Sequence, residues 1–212
     1  MTVEEFVKNI THLGHASIKF KINGKNFYID PFKLSNIEKA DYIFSTHPHY
    51  DHFSEEDIKK ITTENTTIFV VKEIEQKAKT LKHKKIYGVS PSMKIDLDGF
   101  IVETVYAYNI NKKFHPKENN WVGYIIDIEG IRIYHSGDTD KIPEMNKIKV
   151  DIAFLPVGGT YTMDYEEASE AANIIKPKYA IPMHYGSIVG SRNDAQNFIK
   201  LLKPEIKGLI LL

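Results

Sequence analysis

The sequence predicts a layered α/β fold in which helices cover sheets. Three observations carry this. Two strand–turn–strand patterns centre on Asn23-Gly24 and Glu129-Gly130. The last third alternates apolar strand runs with capped helices. No low-complexity tract, linker or repeat divides the 212 residues, so the chain reads as one domain, 1–212.

The elements follow in order. "SIKFKI-NG-KNFYID" alternates apolar and polar residues around Asn-Gly, the dipeptide that supplies the positive φ of a tight hairpin turn. "DYIFST" is a short apolar run and reads as a buried strand. Ser54-Glu55-Glu56-Asp57 fits a capping box that opens a short helix. "TTIFVV" is a strand, followed by a helical stretch from Lys72 to about Leu81. "MKIDLDGFIVETVYAY" turns at Asp98-Gly99, and a polar loop, Asn109 to Asn120, follows. "WVGYIIDI-EG-IRIYHS" is the second hairpin, and "DIAFLPV" is a strand. Asp164 with Glu167 caps a helix to about Ile175, and Pro177 stops it. "YAIPMH" is the next strand, Ser191 with Asp194 caps a last helix, and "GLILL" closes the chain.

Composition excludes several functions. There is no Cys, which removes disulfides, thiol catalysis and Cys-ligated metal clusters. Lys plus Arg and Asp plus Glu both number 28, so the formal net charge is zero. A broad nucleic-acid-binding face usually needs a basic excess, so nucleic acid is not expected as a partner. No apolar run approaches a membrane span, and "MTVEEFVKNI" is too acidic for a signal peptide. The expectation is a cytoplasmic protein. Arg occurs only at Arg132 and Arg192, so bidentate clamps on phosphate or carboxylate are scarce.

The chemistry concentrates in Thr46-His47-Pro48-His49-Tyr50-Asp51-His52. The run lies between a strand and a capped helix, in a loop at a strand's C-terminal end, where sites of layered α/β proteins are common. His47 and His49, two apart, can turn to one point, and Asp51 and His52 to a second. Imidazole and carboxylate are the ligands of zinc, manganese and iron. Two later segments repeat the placement. His135-Ser136-Gly137-Asp138-Thr139 sets a carboxylate on a glycine turn after a strand, and Met183-His184-Tyr185-Gly186 ends another strand in a His. Alone, Asp138 reads as a turn residue and His184 as a structural His. With the first run they supply a bridging carboxylate and a further ligand.

"LGHAS", "IDPF", "THPHYDHF", "YHSGDTD" and "PMHYG", in this order, resemble the metallo-β-lactamase superfamily, and within it the lactonase-like metal-dependent hydrolases. The resemblance spans nearly the whole chain and implies a four-layer αββα sandwich. It implies two divalent ions, zinc first and manganese or iron as alternatives. His47 and His49 would hold one, Asp51, His52 and His184 the other, and Asp138 would bridge them. Asp30 would orient a ligand His, or simply end a strand before Pro31. His15 would line the site, or serve the core or a turn.

One position departs from the family. Its first metal usually takes a third His, and Asn109 stands at the aligned place. His115, six residues on, or water would complete the set, or the site would hold only one metal firmly. His135 is a weaker candidate that strand alternation could turn into the core, and His12 and His83 read as structural or solvated.

The resemblance implies a metal hydroxide opening an ester, lactone, amide or phosphoester of a small substrate, with Asp51 as ligand and orienting or general base. Lys112, Lys113 and Lys117 would attract an anionic substrate, or merely solvate their loop. Tyr161 would wall the site, or sit in a plain turn. A phosphodiesterase or ribonuclease of the same superfamily, and a non-catalytic metal-binding or sensor protein, are the alternatives. A homo-oligomer is left open.

Overall fold

The computed structural model describes residues 1–35 and 37–211. The chain divides into two compact units, Met1–Ser90 and Pro91–Leu212.

The first unit holds helix α1 (Val3–Val7) and strands β1 (Ile10–Gly14), β2 (Ser17–Ile22), β3 (Lys25–Ile29) and β4 (Tyr42–Phe44). Helix α2 (Glu55–Ile61), strand β5 (Thr67–Val71), a 3-10 turn at Lys72–Ile74, helix α3 (Glu75–Ala78) and strand β6 (Lys85–Val89) follow. The strands form one sheet in the order β1-β2-β3-β4-β5-β6. β1 to β3 run antiparallel, and β3 to β6 run parallel. The Asn23-Gly24 turn has φ values of 50° and 74°, as its dipeptide predicts. An aromatic ladder crosses the sheet. Phe20 stacks on Phe27 at 4.8 Å, Phe44 on Phe69 at 4.6 Å, and Phe69 on Tyr87 at 4.7 Å. Each of these pairs sits in register on neighbouring strands, so ring stacking and strand pairing support one another.

The second unit holds β7 (Lys94–Leu97), β8 (Phe100–Tyr106), β9 (Val122–Ile128), β10 (Ile131–His135), β11 (Ile152–Pro156), helix α4 (Tyr165–Ile175), β12 (Tyr179–Met183), helix α5 (Arg192–Lys200) and β13 (Lys207–Gly208). Their sheet runs β13-β12-β11-β10-β9-β8-β7. β7 to β10 are antiparallel, and β10 to β13 are parallel. α4 buries Ala168, Ala171, Ala172 and Ile175 in a core shared with Ala153, Leu155, Ala180 and Phe198. Small residues on the helix let it lie close to the sheet.

Several local readings change. Ser54 caps α2 through the Asp57 N–H, but the Asp57 carboxylate does not close a capping box. It accepts instead from Ser54 Oγ and from the backbone N–H of Lys33 and Leu34. Asp164 likewise caps α4, while Glu167 accepts from Lys141 N. Ser191 and Asp194 do form the expected box. The stretch from Lys72 to Leu81 is a 3-10 turn and one short helix rather than a continuous helix. Of "GLILL", only Gly208 pairs as strand, and Leu212 lies outside the described residues. Helix α1 and strands β1 and β6 were not read from the sequence. A capping box of Thr2 and Glu5 opens α1, a signal present in the sequence. No helix among the described residues is long and apolar enough to cross a membrane.

Candidate metal centre

In the first unit the chemistry gathers where β3 and β4 end side by side. Asp30 directly follows β3 and donates its N–H to Phe44 O at the end of β4. It is fully buried with φ at 47°, a conformation that Asp tolerates better than most residues. Its carboxylate meets only donors. Thr46 N approaches Oδ1 at 2.8 Å, while Thr46 Oγ1 (2.8 Å) and His52 Nδ1 (2.7 Å) approach Oδ2. A carboxylate can only accept, so the Thr46 hydroxyl donates to it. That hydroxyl lies 3.0 Å from His47 Nδ1 and accepts there. Both His52 and His47 therefore carry their proton on Nδ1 when neutral, and the lone pair falls on Nε2.

His52 Nε2 faces Asp51 Oδ2 at 3.6 Å, and His47 Nε2 lies 3.1 Å from His49 Nδ1. The expected run thus comes together as two adjoining groups. His15 joins them. Buried after the β1 turn with φ at 52°, it reaches Asp51 Oδ2 through Nε2 at 2.9 Å. The ligand atoms of His15, Asp51 and His52 all lie within 4.8 Å of one another. For His15 the sequence favours a core or turn role at least as much as a site role, and its "GHAS" setting is the available signal. Thr46 was missed as an orienting group.

In the second unit the corresponding residues gather beyond the C-terminal ends of β8, β10 and β12. Asp138 follows β10, His184 follows β12, and Asn109 follows β8. Asp138 Oδ2 lies 3.3 Å from His115 Nε2 and 3.0 Å from His184 Nε2, and all three residues are buried. Two glycines make room. A Cβ on Gly123 would meet Ser136 O at 2.8 Å, and one on Gly158 would meet His184 O at 2.5 Å. His184 itself has φ at 59°, so three of the clustered residues hold left-handed backbone that costs energy.

The departure at Asn109 resolves locally. The chain leaves at 109 and returns at 115, closing on itself. Asn109 N donates to His115 O at 2.8 Å, and Asn109 Oδ1 accepts from His115 N at 2.9 Å and from Nδ1 at 3.0 Å. His115, and not Asn109, therefore turns its ring to Asp138. Thr139 and Asp140 stitch the exits of β8 and β10 together: Tyr108 N donates to Thr139 Oγ1, and Asp140 N to Tyr108 O.

The other candidates do not join. His135 Nδ1 accepts from Gly137 N inside the core. His12 Nε2 lies against His15 O, and burial pulls the pKa of its ring down despite that contact. His83 Nδ1 donates to Leu81 O. Lys112 pairs with Asp140, and Lys117 with Glu144, whose hydrogen bond holds the Lys117 ammonium above its usual pKa. Tyr161 lends its backbone carbonyl to Asn109 Nδ2 and its ring to Phe114.

The donor chemistry of both clusters fits a divalent metal. His115 gives its Nδ1 proton to Asn109, so the lone pair of Nε2 faces a carboxylate oxygen at 3.3 Å. Two electron-rich atoms at that distance repel unless positive charge stands at or between them. The same opposition recurs between His52 Nε2 and Asp51. Buried imidazoles with a pinned Nδ1, facing carboxylates, are the donor set of zinc, manganese and iron centres.

A family model described as "Beta-lactamase superfamily domain" matches residues 9–184. A UPF0173 metal-dependent hydrolase of Thermoplasma acidophilum is 36% identical over 208 residues, covering 92% of this chain and 90% of that protein. A solved structure from Parabacteroides distasonis, 31% identical, superposes with a TM-score of 0.84 over 95% of this chain and 91% of that one. The structure of a metallo hydrolase from Ignicoccus hospitalis, 26% identical, gives 0.78 over 95% and 94%.

Proposed function

This chain belongs to the β-lactamase superfamily, with the α/β fold of the metallo-β-lactamase type, and is a metal-dependent hydrolase of it; on that premise we propose that it hydrolyses an ester, lactone or related bond of a small molecule. One observation carries the reading. Buried His52 and His115 each have Nδ1 pinned by an acceptor and Nε2 turned to a carboxylate.

The ligands we assign are His47, His49, Asp51 and His52 in the first unit and His115, Asp138 and His184 in the second. Two ions, with zinc the first choice, suit this number of donors. A divalent metal bound there would acidify water near neutral pH and polarise the substrate oxygen. The chain's own groups set the rest. Asp51, which His15 holds, would accept and steer the proton of the attacking water. Asp30 and Asn109 keep the rings from rotating. A cleft of about 730 Å³ in the first unit, of small-molecule size, is bounded by Pro48 and Tyr50 of the ligand loop and by a mixed wall of Phe32, Phe53 and charged residues such as Lys33 and Glu55. The pairing of Lys112 and Lys117 with acids argues for a neutral ester or lactone over a polyanionic phosphodiester.

The joint variant His47→Ala/His49→Ala tests the reading. Bound metal and turnover on an ester, lactone and phosphoester panel are expected to fall together. Full activity in metal-free protein would refute it, and tight metal binding without turnover would favour a binding protein.

A further inference from the structure

We propose that Asn109 is a positioning residue that fixes the tautomer of His115, so that His115 Nε2 replaces the ligand the family takes from the 109 position. The inference deepens the metal-centre reading and rests on it.

The amide orientation follows from its neighbours. The backbone N–H of His115 can only donate, so the Asn109 oxygen faces it, at 2.9 Å. On the other side Tyr161 O can only accept, so the Asn109 nitrogen faces that carbonyl, at 3.0 Å. Asp140 Oδ1, also 3.0 Å from Nδ2, agrees. The oxygen that accepts from His115 N is the one lying 3.0 Å from His115 Nδ1. Nδ1 must therefore hold the proton, and the lone pair falls on Nε2, toward Asp138. Asp140 anchors the arrangement by also accepting from Ile110 N and from Lys112. A His at 109 in the family's manner would be a ligand itself. Here the carboxamide has two donors on one side and two acceptors on the other, which an amide satisfies and an imidazole or a carboxylate does not.

Zinc affinity, measured by chelator competition, and the ¹⁵N shifts of the His115 ring in metal-free protein test the proposal. Wild type is expected to show the Nδ1–H tautomer. Asn109→Leu should mix the tautomers and weaken zinc binding by roughly 10–100-fold, the scale of lost orienting partners. Asn109→Asp alone should lose affinity, because its second oxygen would oppose Asp140 and Tyr161 O. Adding Asp140→Asn returns one donor to that side, while Tyr161 O still opposes the new oxygen, and should recover part of the loss. That exchange decides the matter even if Asn109→Leu does not fold. An Nε2–H ring in wild type, unchanged affinity in Asn109→Leu, or no recovery in the paired exchange would overturn the proposal. Wild-type protein that keeps the Nδ1–H tautomer but takes up no zinc would sink the metal centre and leave the orientation standing.

Discussion

Asp30 and Asn109 have the same task in different units, and they are different residues for a countable reason. Each follows a strand, each is buried, and each holds a His by Nδ1. Asp30 is met by three donors, from Thr46 N, Thr46 Oγ1 and His52 Nδ1, and only a carboxylate accepts them all. Asn109 is met by two donors and two acceptors, and only an amide answers both. The consequences also differ. An anionic partner strengthens its imidazole as a base, whereas a neutral one fixes direction alone. The first cluster is thus held by charge and the second by geometry.

The comparison is most exposed at Asp30. Asp30→Ala leaves three buried donors without an acceptor and should cost about 3 kcal/mol or more, read as a fall in the urea midpoint at constant slope. Asp30→Asn should fold better but turn an N–H toward at least one donor, and its metal affinity should drop where Asn109 tolerates an amide. Equal metal affinity in Asp30→Asn and wild type would erase the distinction between the clusters.

Next comes Gly158→Ala. The added carbon would meet His184 O at 2.5 Å and Val189 Cγ1 at 2.8 Å. Backbone oxygen cannot step aside like a flexible side chain, so we expect about 2 kcal/mol of destabilisation. Metal affinity should fall as well, because His184 must move. A smaller effect comes from Thr46→Val, which keeps the shape but removes the relay between Asp30 and His47. A loss of about 1 kcal/mol is expected. A metal-free ¹⁵N spectrum in which the His47 tautomers mix, with Asn109 and His115 undisturbed, would locate the effect in the first cluster.

The smallest effect is a pH dependence at Asp57, which secures the chain after Asp30. Burial works against its charge, but hydrogen bonds from Ser54, Lys60 and the Lys33 and Leu34 N–H outweigh burial and hold its pKa below 3.8. A depressed folded value means the contribution is present above 3.8 and is lost as pH falls through the lower folded value. Asp57→Asn should therefore unfold more easily than wild type at neutral pH, and the gap should close in acid. A gap constant from pH 7 into acid would show that the charge does not matter.

Much of this was legible in the sequence because it is local. The hairpin turns at Asn23-Gly24 and Glu129-Gly130, and the caps Ser54, Asp164 and Ser191, depend on residues a few positions apart. The HxHxDH run, Asp138 and His184 announced themselves by lying at strand exits. Helix α1 opens on a capping box of Thr2 and Glu5, but its five residues are too few to show a helical period. Strand β6 holds Gly88 and a half-buried face, a weak pattern for any periodicity reading. The partners of caps escaped for another reason: Asp57 and Glu167 have the right spacing, yet distant backbone groups claim their carboxylates.

By itself the sequence determined the α/β class, the donor inventory and the one irregular position, Asn109. Those follow from residue chemistry and short spacing. Only the tertiary structure decided that His115 turns its ring to Asp138, that His15 reaches Asp51, and which nitrogen of each pinned ring carries the proton. Such choices depend on donors and acceptors brought together from 36 residues apart, as His15 and Asp51 are, or 31, as Asn109 and Asp140 are. A linear pattern names the groups present, but the balance of donors and acceptors around each exists only once the chain has folded.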